Sequence, residues 1–284
     1  MKKTANYNWL RFFAIIIPYV LIVSVFQIIG YNIAGASLTI EDKVFTSYQR
    51  VVITFFTLIG TLTTLVLFMK FVDKEPFKNL GLHWKGKSKD LLIGSLLGAV
   101  IMCFAYFFLI GLDAIVFEKI VISWKDIFYG VLVFACVSFS EELLFRGYVL
   151  KNFMSSFNKY FALILSSLLF ALMHGANPNI DFIPLINLFL AGILLGTSYI
   201  YTKNLWFPIG LHFAWNLFQT FFGFNVSGKS FYSIIEFKTL GSNLITGGAF
   251  GLEGSIFSIV IQIFLIFALV VYFERKNRKT FNLS

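Results

Sequence analysis

The sequence predicts an all-α fold: a polytopic transmembrane helical bundle of about eight spans, with both termini cytoplasmic. Three observations carry that expectation. Residues of the AVILMFWYC set make up 58% of the 284-residue chain and charged residues only 13%, against about 45–50% and roughly 25% in soluble domains. Mean hydropathy is +0.82, and 37 residues are Phe. Apolar stretches recur along the whole chain, most of them near the ~20 residues a helix needs to cross a bilayer core. A soluble core cannot hide so much apolar surface, and disordered chains are poor in it. The bilayer is the solvent.

The first apolar stretch runs over about 9–29 and the second over 51–72, followed by 91–110 and 127–150. The fifth, 160–173, is short, and the sixth and seventh, 183–202 and 205–223, are divided only by Lys203-Asn204. The eighth covers 255–273. Lys2-Lys3 ahead of the first stretch and Ala34-Gly35-Ala36 behind it resemble a signal peptide. The apolar run between them is longer than the ~7–15 residues of a cleavable region, so an uncleaved first span is expected. With the N-terminus inside, sixteen of the 23 basic residues fall on the cytoplasmic side, Arg146 is set aside, and Lys43, Arg50, Lys119, Lys125, Lys229 and Lys238 fall outside. That asymmetry is the positive-inside bias. It accounts for the formal charge of +9 without nucleic acid, and a multi-pass protein of the cell membrane is expected.

The whole chain, 1–284, reads as a single membrane domain. The cytoplasmic loop between the second and third spans carries Phe77 and Trp84 among lysines, a composition suited to anionic headgroups. The one long outer loop, 224–254, with FYSIIEF and TGGAFGLEG, is read either as a short helix on the membrane or as a re-entrant gate. Gly94 and Gly98, and Gly192 and Gly196, have the spacing of close helix packing. Cys103 and Cys136 lie in apolar stretches and form no CxxC pattern, so they read as small core residues. No internal repeat supports an inverted-repeat transporter.

Function in a membrane protein is sought where ionisable groups sit at bilayer depth. Three clusters qualify: Glu141-Glu142 with Arg146 in the fourth span, His174 at the end of the fifth, and His212 with Asn216 in the seventh. Unpaired, such groups cost roughly 2.5–3.5 kcal/mol each near a span's centre. Glu142 and Arg146 are four residues apart and share a helix face, which leaves Glu141 without a local partner. A rise of about 1.5 Å per residue puts Glu141 and His212 at similar depths and His174 deeper by more than a turn. The four residues Glu141, His174, His212 and Asn216 are expected to line one cavity in the cytoplasmic half of the bilayer. A buried Glu beside a His can draw a proton from water, and a second His with an amide one turn away can stabilise an oxyanion. These are parts of a peptide hydrolase with no covalent nucleophile; neither a serine elbow nor HExxH is present. Glu141, His174 and His212 are also a zinc-type ligand set, and a metal-assisted version stays open.

At these residues the chain resembles the intramembrane CPBP family, the CAAX proteases and bacteriocin-processing enzymes. The family's EExxxR, FxxxH and HxxxN motifs read here as Glu141-Glu142 to Arg146, Phe170 to His174 and His212 to Asn216, in order. The stretches EELLFRGYVL and GLHFAWN, and the LGL of 80–82, are similar to bacterial members. The resemblance covers about 120–225, the catalytic core; the first, second and eighth spans contribute little to it. It implies Glu141 as general base with His174 helping to activate water. His212 and Asn216 stabilise the oxyanion, Glu142 supports the site, and Arg146 orients the carboxylates. No cofactor is then required, with zinc as the open option. The implied partners are membrane lipid and a protein or peptide with a membrane-embedded or lipidated segment. A non-enzymatic scaffold for bacteriocin immunity or regulation is the main competing reading, and a proton-coupled transporter the third.

Overall fold

A computed structural model of the chain describes residues 7–36 and 45–281; Lys2, Lys3 and Lys43 of the charge tally lie outside them. Each apolar stretch is helical: α1 (Leu10–Ile33), α2 (Ser47–Leu67), α3 (Ser88–Gly111), α4 (Trp124–Glu142), α5 (Lys159–Met173), α6 (Phe182–Thr202), α7 (Trp206–Phe221) and α8 (Ile256–Phe281). Two of them run on through π-helical turns, α2 through Phe68–Asp73 and α4 through Leu143–Leu150, the latter continuing as Lys151–Ser156.

The helix starts follow local chemistry. Thr46 and Gln49 form a reciprocal capping box at α2, and Ser123, Asn158 and Asp181 accept backbone N–H groups at the starts of α4, α5 and α6. Such side chains satisfy donors that the first helical turn leaves free. α6 ends on Lys203, which takes a left-handed conformation. The Nδ2 of Asn204 then donates to His83 O at 2.8 Å, and Leu205 N donates to Gly81 O at 3.0 Å. The LGL segment is thus the dock for the α6–α7 turn.

Among the described residues, six helices are long and apolar enough to cross a membrane. The two shorter ones, α5 and α7, are 15 and 16 residues long. At about 1.5 Å per residue they fall short of a ~30 Å hydrocarbon core, and both carry site residues.

α3 and α7 meet through glycine. A Cβ on Gly94 would stand 2.3 Å from the carbonyl oxygen of Phe207, and one on Gly210 would stand 2.3 Å from that of Leu91. Gly192 lies against the backbone of Ser167 of α5 in the same way, whereas Gly196 meets only the side chains of Leu163 and Leu150. Backbone against backbone leaves no soft atom to move. Gly94→Val is therefore expected to remove most monodisperse protein from a detergent extract. Gly111→Val, at a position with nothing within 4 Å, should leave the yield unchanged.

The all-helical expectation misses one feature. Strands β1 (Ile115–Ile120) and β2 (Ile235–Thr239) pair antiparallel, with Ile115 opposite Thr239 and an irregularity at Phe117/Lys119. They bring the α3–α4 connection beside the long loop that follows α7. After a tight turn at 226–229 and strand β2 that loop folds through the short helix Asn243–Thr246 and two 3-10 turns at 248–250 and 252–254.

Candidate active site

Glu142 lies at the junction where α4 changes from α to π geometry, and Arg146 lies inside the π stretch. A π turn loosens the regular ladder and is frequent at functional sites. Here Ser166 of α5 donates to the carbonyl oxygen of Phe145 at 3.2 Å, which keeps that buried acceptor satisfied.

The expected Glu142–Arg146 pair is present. Arg146 Nη1 donates to Glu142 Oε1 at 2.8 Å, with side-chain exposures of 2% and 0%. The guanidinium is held on further sides by Gly192 O at 3.3 Å and by the face of Phe170, whose centroid lies 4.5 Å from the guanidinium carbon. A cation stacked on a ring out of water gains about 2 kcal/mol. Phe170, the first residue of the FxxxH motif, also stands 4.7 Å from the His174 ring, centroid to centroid. It is the platform on which the arginine and the histidine both rest.

Both histidines are oriented by their Nδ1 atoms. His174 Nδ1 lies 2.8 Å from the carbonyl oxygen of Phe170, and His212 Nδ1 lies 2.8 Å from Glu142 Oε1. A carbonyl oxygen only accepts, so His174 carries its proton on Nδ1 and turns Nε2 away from the backbone. The two Nε2 atoms converge on one place: each is 3.8 Å from Glu141 Oε2. Glu141 itself is 27% exposed, against 0% for its neighbour Glu142. Asn216 is buried in the same wall, and its amide makes no hydrogen bond to another described residue.

Glu141, His174, His212 and Asn216 line one cavity of about 310 Å³, a volume at the lower end of small-molecule sites. The expectation of a shared cavity holds; its surroundings differ from expectation in two ways. Tyr19 of α1, Thr54 and Thr57 of α2, and Gln262 of α8 also line it, so the first, second and eighth spans contribute more than the family motifs suggest. Ser227, Lys229 and Glu253 line it too, and these belong to the loop that the charge tally assigns to the outer side. The short α5 and α7 leave room at that end for the loop to reach the cavity.

Among the described residues, no group of three or more His, Cys, Asp or Glu side chains is arranged to hold a metal ion. Glu141, His174 and His212 match zinc in ligand type, but their 3.8 Å separations exceed the ~3.3–3.5 Å between ligand atoms of a tetrahedral site with ~2.0–2.1 Å bonds. As they stand, they do not fit the ion.

Residues 123–218 match the family model described as Rce1-like: Type II CAAX prenyl endopeptidase Rce1-like. That segment is similar to the Rce1-like family. It begins on the N-cap of α4 and ends two residues beyond Asn216, so it holds all three motifs and about a third of the chain. No curated protein and no solved structure matches the chain. The six apolar helices point to a membrane protein, and its 123–218 segment is similar to a peptidase family.

Proposed function

We propose that the protein is an intramembrane endopeptidase of the cell membrane that hydrolyses a peptide bond of a membrane-associated or lipidated protein or peptide precursor. The observation that carries this reading is the convergence of His174 Nε2 and His212 Nε2 on Glu141 Oε2, each at 3.8 Å. That separation is too long for a direct hydrogen bond and suits groups that share a water.

In this mechanism Glu141 takes a proton from the water as its oxygen attacks the scissile carbonyl. His174, with Nδ1–H committed to Phe170 O, offers the Nε2 lone pair to the same water. The tetrahedral oxyanion falls to Asn216 and, one helical turn away on α7, to His212 as an imidazolium, which gives Nδ1–H to Glu142 and Nε2–H to the oxyanion. Asn216 is suited to that role because its side chain is largely buried in the cavity wall and spends no hydrogen bond on another described residue. The proton held by Glu141 then passes to the departing amine nitrogen as the C–N bond breaks. Glu142 holds His212 by Nδ1, and Arg146 balances the charge of Glu142. No step uses a metal.

Cleavage is tested with the purified full chain in liposomes and a set of quenched fluorescent peptides anchored by an acyl chain or an apolar segment. New termini detected by mass spectrometry support the reading; absence of any product overturns it. Chelation by 1,10-phenanthroline is expected to leave the rate unchanged, and a loss restored by zinc would overturn the metal-free mechanism. Asn216→Ala should lower turnover about 10²–10³-fold, the range for loss of one oxyanion donor, with KM altered much less.

A further inference from the structure

The roof of the cavity carries an acidic group that the mechanism does not use. Glu253 sits in the glycine-rich run after β2 and is half-buried in the cavity wall. One carboxylate oxygen, Oε2, accepts from the backbone N–H of Ser227 at 2.8 Å and from its hydroxyl at 3.0 Å. The other, Oε1, has no hydrogen-bond partner among the described residues.

Its position is built rather than incidental. Ser227 and Gly228 form the tip of the 226–229 turn, both with positive φ, and Gly228 N donates to Phe250 O at 2.9 Å. A Cβ on Gly251 would stand 1.9 Å from the backbone oxygen of Asn225, so the run that bears Glu253 is pressed against the segment that bears Ser227. Neither segment can shift without the other. The result is a carboxylate held rigidly over the cavity, with one oxygen committed to the frame and one free.

Glu253 stands within electrostatic range of His174 and His212, whereas Lys229, the other charged residue of the roof, is closer in influence to Glu141 and Arg50. No lysine or arginine forms an ion pair with Glu253 among the described residues. Burial holds its carboxyl above the ordinary carboxylate range in spite of the two bonds from Ser227. A half-buried carboxylate without a counter-charge bears part of the cost of burying an ion, and a bound cation relieves that cost.

We propose that Glu253 is a specificity residue that receives an amine cation of the substrate, close to the bond that the Glu141 centre cleaves. This rests on the endopeptidase reading for its biological meaning but not for its test. The cation has two sources, a basic side chain within the peptide or the peptide's own free α-ammonium group.

Three fluorescent probes separate them. All share one apolar sequence: an N-acetylated form with a single Lys, its N-acetylated norleucine twin, and the norleucine form with a free N-terminus. Binding to the full chain is measured by anisotropy in nanodiscs of neutral phosphatidylcholine, with no need for turnover. Whichever cationic probe is read by Glu253 should bind at least about tenfold tighter than the acetylated norleucine peptide. Glu253→Gln, whose amide oxygen still accepts from Ser227, should reduce that ratio to below about twofold. Glu253→Lys should invert it, so that the acetylated norleucine peptide binds tighter than the cationic probe. Equal binding of all three probes to the wild type, including no binding at all, overturns the proposal, as does a ratio that survives Glu253→Gln. A preserved ratio with no cleavage of any probe refutes the endopeptidase reading and leaves the cation site standing.

Discussion

Glu141→Gln should abolish peptide cleavage while the protein remains folded. The substitution keeps the shape of the side chain, and Glu141 bears no ion pair to Arg146 that its loss would strand. It removes only the ability to take a proton from water. General-base catalysis contributes about 10²–10⁴-fold, and the expected fall is at the upper end because both histidines in the site are aimed at this one carboxylate. Extracted protein should stay monodisperse with an unchanged unfolding temperature. Residual turnover above a tenth of wild type would mean that another group serves as base.

Arg146→Ala should act on the fold as well as on the reaction. It deletes the cation that balances Glu142 in a place with no solvent, and removing one partner of a buried pair typically costs about 3–5 kcal/mol. That approaches the whole stability of many domains. Folded protein should fall steeply in yield and melt at a lower temperature. Arg146→Lys keeps the charge but not the planar fork that reaches Glu142 and Gly192 together. It should recover part of the yield and little of the turnover. Replacing Glu142 and Arg146 both by Met removes the two charges at once and should restore folded protein. Turnover should stay low, because His212 then loses the acceptor that fixes its ring. Full stability and activity of Arg146→Ala would show that the pair holds nothing in place.

The contrast between these variants reflects what the sequence reveals and what it hides. The Glu142–Arg146 pair is legible because four residues of helix set it, and the π turn it enters does not break it. The meeting of Glu141 with two histidines is legible only as three motifs of a known family, since no spacing rule relates α4 to α5 or α7. The eight helices follow from runs of apolar residues, and the shortness of α5 is legible in its run of 160–173, whereas that of α7 is less so. His174 occupies the C-cap position of α5, and α7 covers only Trp206–Phe221 of the run 205–223. The β1–β2 pair was not legible at all. Each strand is five or six residues long, and the partner lies more than a hundred residues away. The contributions of Tyr19, Thr54 and Thr57 were hidden for a different reason: hydroxyls in apolar helices often bond to their own backbone, as both threonines do here. Glu253 left a signal that motif reading passed over, a lone acid among glycines whose φ values are positive. Such a run is a tight frame, and what it frames is exposed to the site.

The most direct test of the central claim compares peptide and protein termini in membranes of cells carrying either the wild-type chain or Glu141→Ala at equal expression. The account predicts a discrete set of new termini, from membrane-associated or lipidated precursors, present with the wild type and absent with the variant. Identical termini in the two membranes, together with an unimpaired cellular role for the Glu141→Ala protein, would contradict it and make the fold a scaffold rather than a protease.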